Sequence, residues 1–126
     1  MKIIIFKAKE AIFLILNNKN IEKRSFSNVV IIYIYGKNVN LSRRLKAREI
    51  ERVKSIIEPY RGLRIVIYPM LYDSISEDYI RYMNEIVSDI VGALRLSGFT
   101  VDYLPIEKAK FSLYKGALPI DTVLLN

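Results

Sequence analysis

The chain has 126 residues, 52% of them hydrophobic and 26% charged, with a formal net charge of +7. That length suits one domain over residues 1–126 with a single core. The absence of cysteine and histidine excludes a disulfide framework, a thiol nucleophile, a Cys/His zinc site and a Ser-His-Asp arrangement.

The elements read in chain order as follows. KIIIF at 2–6 is a short β-branched run suited to a buried strand, and AIFLIL at 11–16 reads as its hairpin partner. NNKN at 17–20 is turn chemistry, and 17–27 reads as a polar connection. NVVIIYIYG at 28–36 is the strongest strand signal and stops at Gly36. Over 41–58 the period changes: Ile50, Val53 and Ile57 follow helical spacing, with Asn40 expected as N-cap and Pro59 as the stop. Arg44, Arg48 and Arg52 recur at every fourth position on another face of that helix. This stripe is either a phosphate-binding face or a solvated face paired with Glu49 and Glu51.

LRIVIYP at 63–69 is a further buried strand ended by its proline, MLYDS follows as a loop, and Ser74 with Glu77 three residues later fits a capping box. Ile80, Met83, Val87, Ile90 and Leu94 then form a helical stripe that Gly98 is placed to end. FTVDYLP at 99–105 and AKFSLYKG at 109–116 alternate as strands, and TVLL makes a short last one. The expected order is β-β-β-α-β-α-β-β with a final strand. The fold class is α/β, a mixed β-sheet with its two main helices on one face. A second copy is expected to cover the other face, giving a homodimer.

The longest apolar runs are six and seven residues, against roughly 20 for a spanning helix, so no membrane association is expected. MKIII runs into Lys7, Lys9 and Glu10 without a small-residue cleavage site, so no signal peptide is read and the expected location is cytoplasmic. Charge is uneven. Residues 1–64 carry 15 Lys/Arg against 5 Asp/Glu, a balance of +10, while residues 65–126 carry 5 against 8, a balance of −3. A basic half favours a polyanion such as nucleic acid, although a lysine-rich solvated surface has the same composition. Nothing indicates a metal or an organic cofactor.

RIVIYPMLYDS, a long helix, GFTVDYLP and EKAKFSLYKGALPID, in that order, resemble the editing domain of archaeal threonyl-tRNA synthetases. The matching positions are Tyr68, Pro69 and Ser74, then Gly98, Phe99, Val101 and Pro105, then Lys108, Lys115 and Gly116, with Asp121 where that family has glutamate. The chain departs from the pattern at Tyr72 and Ala117, which stand in place of histidines, at Tyr114 in place of cysteine, at Glu107 in place of tyrosine, and at Lys7, a position commonly histidine. The resemblance implies a D-aminoacyl-tRNA deacylase-like fold. It also implies hydrolysis of mischarged aminoacyl-tRNA, with serine removed from threonine tRNA, in trans or as part of a threonyl-tRNA synthetase.

In that reading Lys108 and Asp121 are catalytic, and Lys7, Tyr68, Tyr72, Ser74, Tyr114 and Ala117 line the substrate pocket. Arg44, Arg48, Arg52, Lys110 and Lys115 hold the tRNA acceptor end. Taken on their own, Lys108, Lys110 and Lys115 also read as edge-strand lysines that block aggregation. The alternative on the same fold is a catalytically inactive tRNA-binding or synthetase-docking module, with Tyr114 filling the amino-acid pocket.

Overall fold

The computed structural model describes residues 1–36, 41–71, 76–108 and 110–125. Its elements are β1 (Lys2–Asn17), β2 (Asn20–Gly36), α1 (Ala47–Ile57), a 3-10 turn (Glu58–Tyr60), β3 (Arg64–Leu71), α2 (Glu77–Leu96), β4 (Val101–Tyr103), β5 (Lys110–Lys115) and β6 (Leu118–Leu124). The lanes of the sheet run β4-β3-β2-β1, with β5 and β6 both on the far side of β1. β1 pairs antiparallel with β2, β5 and β6, whereas β2–β3 and β3–β4 are parallel. The parallel pairs need crossovers, and α1 and α2 supply them. The expected α/β class, mixed sheet and single helical face are present.

The first hairpin differs from the expectation. The runs at 2–6 and 11–16 belong to one strand, and its partner is β2, which includes the supposed polar connection at 20–27. NNKN is the turn, with Asn18 at φ 58°, a conformation asparagine tolerates. The polar stretch in the middle of β1 is where the hairpin changes face. Ile3 and Ile5 join the helix-side cluster, whereas Ala8, Ala11, Phe13 and Ile15 join the cluster on the opposite side. β2 switches in step: Val30, Ile32 and Ile34 face the helices, while Val29, Ile31 and Phe26 face away. Between the two sets the Lys9–Asn28 pairing is missing from the ladder, Lys9 and Glu10 are both exposed, and Asn28 has φ 50°. An unpaired step of this kind increases local twist, and the sheet curls there.

Curling gives the second face its own core of Ala8, Ala11, Phe13, Ile15, Val29, Ile31, Val66, Tyr68 and Leu104. The expected bare face, and with it the stated reason for a second copy, is therefore corrected. The helix-side cluster is built from β1–β3 together with Val53 and Ile57 of α1 and Met83, Ile86, Ile90 and Leu94 of α2.

Other boundaries move for local reasons. Helix α1 begins at Ala47, not at a cap on Asn40, which lies outside the described residues. Its entry is held by the Glu49 carboxylate, which accepts the Lys46 N–H at 2.8 Å and an Arg43 guanidinium hydrogen bond at 2.6 Å. β3 continues through Pro69 to Leu71. Ile65 and Ile67 bond toward the β4 side, where Ile65 N–H donates to Thr100 O and Ile67 O accepts the Leu104 N–H, so Pro69 turns its missing N–H the same way. β4 pairs only with 65–67, and no ladder bond is lost at Pro69. Ser74 lies outside the described residues, and Ser76 caps α2 by accepting Tyr79 N–H at 3.1 Å.

The end of α2 follows the glycine. Gly98, at φ 90°, donates to Arg95 O and Phe99 donates to Leu94 O, the paired bonds of a Schellman motif. Arg61 closes this end by donating to Ser97 O at 2.7 Å, with its guanidinium 4.2 Å from the Phe99 ring centre. Among the described residues no helix is long and apolar enough to cross a membrane, which says nothing about β-barrels.

Candidate functional site: the concave tyrosine face

β5 and β6 run alongside β1 as one interrupted lane. Lys110–Lys115 pair with Ile15–Glu10, and Leu118–Leu124 pair with Lys7–Lys2. Gly116 lies at the break with φ 65°, and a Cβ there would stand 2.9 Å from the Lys9 Cγ. This register decides which side of β5 faces inward. Tyr114 is opposite Ala11, Ser112 opposite Phe13 and Lys110 opposite Ile15, so all three point into the concave cluster.

The curl brings β3 over the same residues. Tyr68 lies 5.7 Å from Phe13 and 5.3 Å from Tyr33 between ring centres, the second pair stacked. Tyr114 makes edge contacts with Phe6 at 4.9 Å and Phe13 at 6.0 Å, a favoured arrangement for aromatic quadrupoles. Ser112 stands beside Tyr68 and Tyr114 and favours the ionised form of both hydroxyls, and the Tyr33 hydroxyl donates to the Met70 sulfur. Lys110 places its ammonium 5.5 Å from the Tyr68 ring centre and donates to Pro105 O at 2.6 Å and Lys108 O at 3.3 Å. It thereby ties the segment after β4 to β5.

Burial sets the electrostatics of this face. It raises the Tyr68 hydroxyl above the ordinary phenol value, partly offset by Ser112. It pushes Tyr114 up to about 12, again opposed by Ser112. Burial also lowers Lys110 to about 8, with Glu107 acting the other way. Near neutral pH these groups are hydrogen-bond donors and one cation bound to backbone carbonyls. They can hold an anionic or carbonyl oxygen, but none is a ready proton acceptor.

The structure gathers only part of the expected site. Tyr68 and Tyr114 meet on the concave face. Ala117 and Lys115 adjoin the β5–β6 break. Lys7 is paired with Leu118 just beyond it. Tyr72 and Ser74 lie outside the described residues. Lys108 and Asp121 are apart: Lys108 donates to Asn17 at the hairpin turn at 2.9 Å, whereas Asp121 pairs with Ile5. Twelve residues of β1 separate those two positions, roughly 40 Å along the strand. Asp121 instead accepts the Thr122 N–H at 2.7 Å and lies 3.9 Å from Arg52.

The arginine stripe divides as well. Arg44 precedes α1 and pairs with Glu85 at 3.0 Å and Asp89 at 2.7 Å on α2, while Arg48 and Arg52 are exposed on α1 itself. Lys110, expected on the RNA-binding surface, is turned into the cluster. Ser112, Tyr33 and Phe13 were missed by sequence reasoning. The available signal for them was the small Ala8 and Ala11 facing large aromatics, which leaves room for Tyr114.

A shallow depression of about 440 Å³ on the outer face of α2 is lined by Glu77, Ile80, Arg81, Asn84, Glu85 and Ser88, and it shares no residue with the tyrosine face. Among the described residues no three carboxylates gather to hold a metal ion. No family model matches the sequence, and no curated protein matches it.

Proposed function

We propose that this protein binds the acceptor end of a tRNA in the cytoplasm, on a scaffold of the editing-domain type, without hydrolysing the aminoacyl ester. The observation that carries this reading is the filling of the concave face by Tyr114, packed between Phe6 and Phe13, together with the separation of Lys108 from Asp121. RNA binding is supported by the +10 balance of residues 1–64 and by the exposure of Lys9, Lys19, Lys23, Lys46, Arg48, Arg52 and Lys115. Arg44 contributes less than its position in the stripe suggests, because two α2 carboxylates already hold it.

A second reading, an aminoacyl-tRNA deacylase, has one observation in its favour: Lys110 brings an amine with a pKa of about 8 to a hydroxyl-lined face. An ester is an activated substrate, and positioned donors contribute much of the acceleration of its hydrolysis.

Seryl- and threonyl-tRNA specific for threonine, incubated with wild-type protein, Lys108→Ala and Lys110→Met, separate the two. The binding module gives salt-dependent gel shifts with ester loss at the background rate. Ester loss above background that disappears in either variant establishes the deacylase. Absence of any shift at low salt removes the tRNA reading.

A further inference from the structure

β5 has a second face, and it is unlike an ordinary edge. The register that turns Lys110, Ser112 and Tyr114 inward turns Phe111 and Leu113 outward, where they are 61% and 65% exposed. Their ladder partners on β1 are Leu14 and Ile12, so all four lie on the helix side of the sheet. Leu16 and Ile21, paired with each other beside the hairpin turn, extend the same face, and Ile21 is 64% exposed. Neither helix reaches this end, since none of these residues joins the helix-side cluster. β5 also ends the sheet, paired on one side only among the described residues. Edge strands are ordinarily blunted by charge, and a long apolar one is a template for a further strand.

Charge decides what fits there. Lys23 is opposite Leu14, Lys115 opposite Glu10, and Lys19 is at the hairpin turn, so the apolar row has cations along its border and Glu10 as the carboxylate facing Lys115. A second copy is a poor occupant of the edge. A two-fold antiparallel self-pairing keeps each face on its own side, so the joined outward face would carry Lys19, Lys23 and Lys115 of both copies against a single Glu10 from each, and a second copy adds cations where carboxylates are needed. We propose that the free edge of β5 and the apolar row beside it accept an extended segment of a partner protein, apolar at alternate positions and carrying carboxylates at its ends. The edge and its apolar row do not depend on the tRNA reading, but Lys19, Lys23 and Lys115 are shared with it, and the peptide titration below reads the edge without RNA.

The test uses the isotope-labelled full chain and two synthetic peptides. Both have a Val-Thr-Val-Thr-Val core, flanked in one by aspartate and glutamate and in the other by lysine. NMR titration and amide exchange are read at β5. The acidic peptide is expected to slow exchange of the β5 amides that do not bond β1, and to bind at least tenfold more tightly than the lysine-flanked one. Leu113→Asp, at an exposed position, abolishes binding, and Leu96→Asp, at a 93% exposed position on α2, leaves it unchanged. Equal binding of both peptides overturns the charge argument, and no binding overturns the site. A concentration-dependent dimer in sedimentation, lost in Leu113→Asp, gives the face to a second copy and also overturns the proposal.

Discussion

Replacing Lys110 with methionine removes an ammonium that is held against the Tyr68 ring and bonded to Pro105 O and Lys108 O. Burial lowers its pKa from the model-compound 10.5 to about 8, with Glu107 opposing. The unfolded chain keeps this proton up to about pH 10.5, whereas the folded chain releases it near 8. Through that window the unfolded state binds more protons, so stability rises with pH. Between pH 7 and pH 10 those two values correspond to a gain of about 2.5 kcal/mol. Water still reaches part of the amine, which reduces the expected gain to about 1–2 kcal/mol. The net charge of +7 also relaxes toward the isoelectric point near 9.6, but that rise is shared by wild type and variant. The informative quantity is therefore the difference between wild type and Lys110→Met in urea unfolding at pH 7, 8, 9 and 10. It should move in favour of wild type by about 1–2 kcal/mol. Parallel pH profiles would refute the placement of Lys110 inside the curled face.

Tyr114→Phe tests the opposite sign. The folded pKa of Tyr114 is raised to about 12, so its contribution is complete below pH 10 and is lost as pH rises from 10 to 12. The phenylalanine variant should lack that alkaline loss, about 1–2 kcal/mol after allowance for exposure, in the same unfolding series. Phe13→Ala should cost about 3–5 kcal/mol in urea unfolding, because Phe13 is fully buried between Phe26, Tyr68 and Tyr114. Gly98→Ala should cost about 1–2 kcal/mol, since φ is 90° and the new methyl would stand 3.0 Å from Arg61 Nη1. Thermal melts of Gly98→Ala with and without Arg61→Ala would show how much of that cost is contact. Ser76→Ala should lose about 1 kcal/mol by the same melts, through the Tyr79 N–H left without its cap.

Local chemistry made much of the scaffold legible. The β-branched runs at 28–36 and 64–68, the 80–94 stripe and Gly98 each state their own structure, because propensity, period and capping agree there. The first hairpin is not legible because Lys7, Lys9 and Glu10 resemble a turn, and the same chemistry serves a face switch inside a paired ribbon. Residues 20–27 lack a clean alternation because much of that half of β2 is exposed, with Arg24 and Glu22 paired at 2.7 Å. The site was harder still. In KFSLYK either alternate set can face inward, and the pattern alone favours burying Phe111 and Leu113. Pairing with β1 decides the matter by placing Ala11 and Phe13 against Tyr114 and Ser112. That pairing joins residues about 100 positions apart, a relation no local period carries.

The switch at Lys9 and Asn28 connects the interior to both proposals. Had β1 kept one alternation from Ile3 onward, Ala11, Phe13 and Ile15 would lie on the helix side with Ile3 and Ile5, and Ile12 and Leu14 would fill the concave face. The unpaired step reverses this, putting Phe13 beneath Tyr68 and Tyr114 and sending Ile12 and Leu14 outward beside Phe111 and Leu113. The filled tyrosine face and the apolar edge therefore have one structural origin, and a change at Lys9 or Asn28 perturbs both together. They separate only away from the switch. Tyr114 substitutions act on the concave face, and Leu113 substitutions act on the edge, although the two residues are adjacent in sequence. A strand presents neighbouring side chains to opposite faces, so β5 can close a site on one side and offer a docking row on the other.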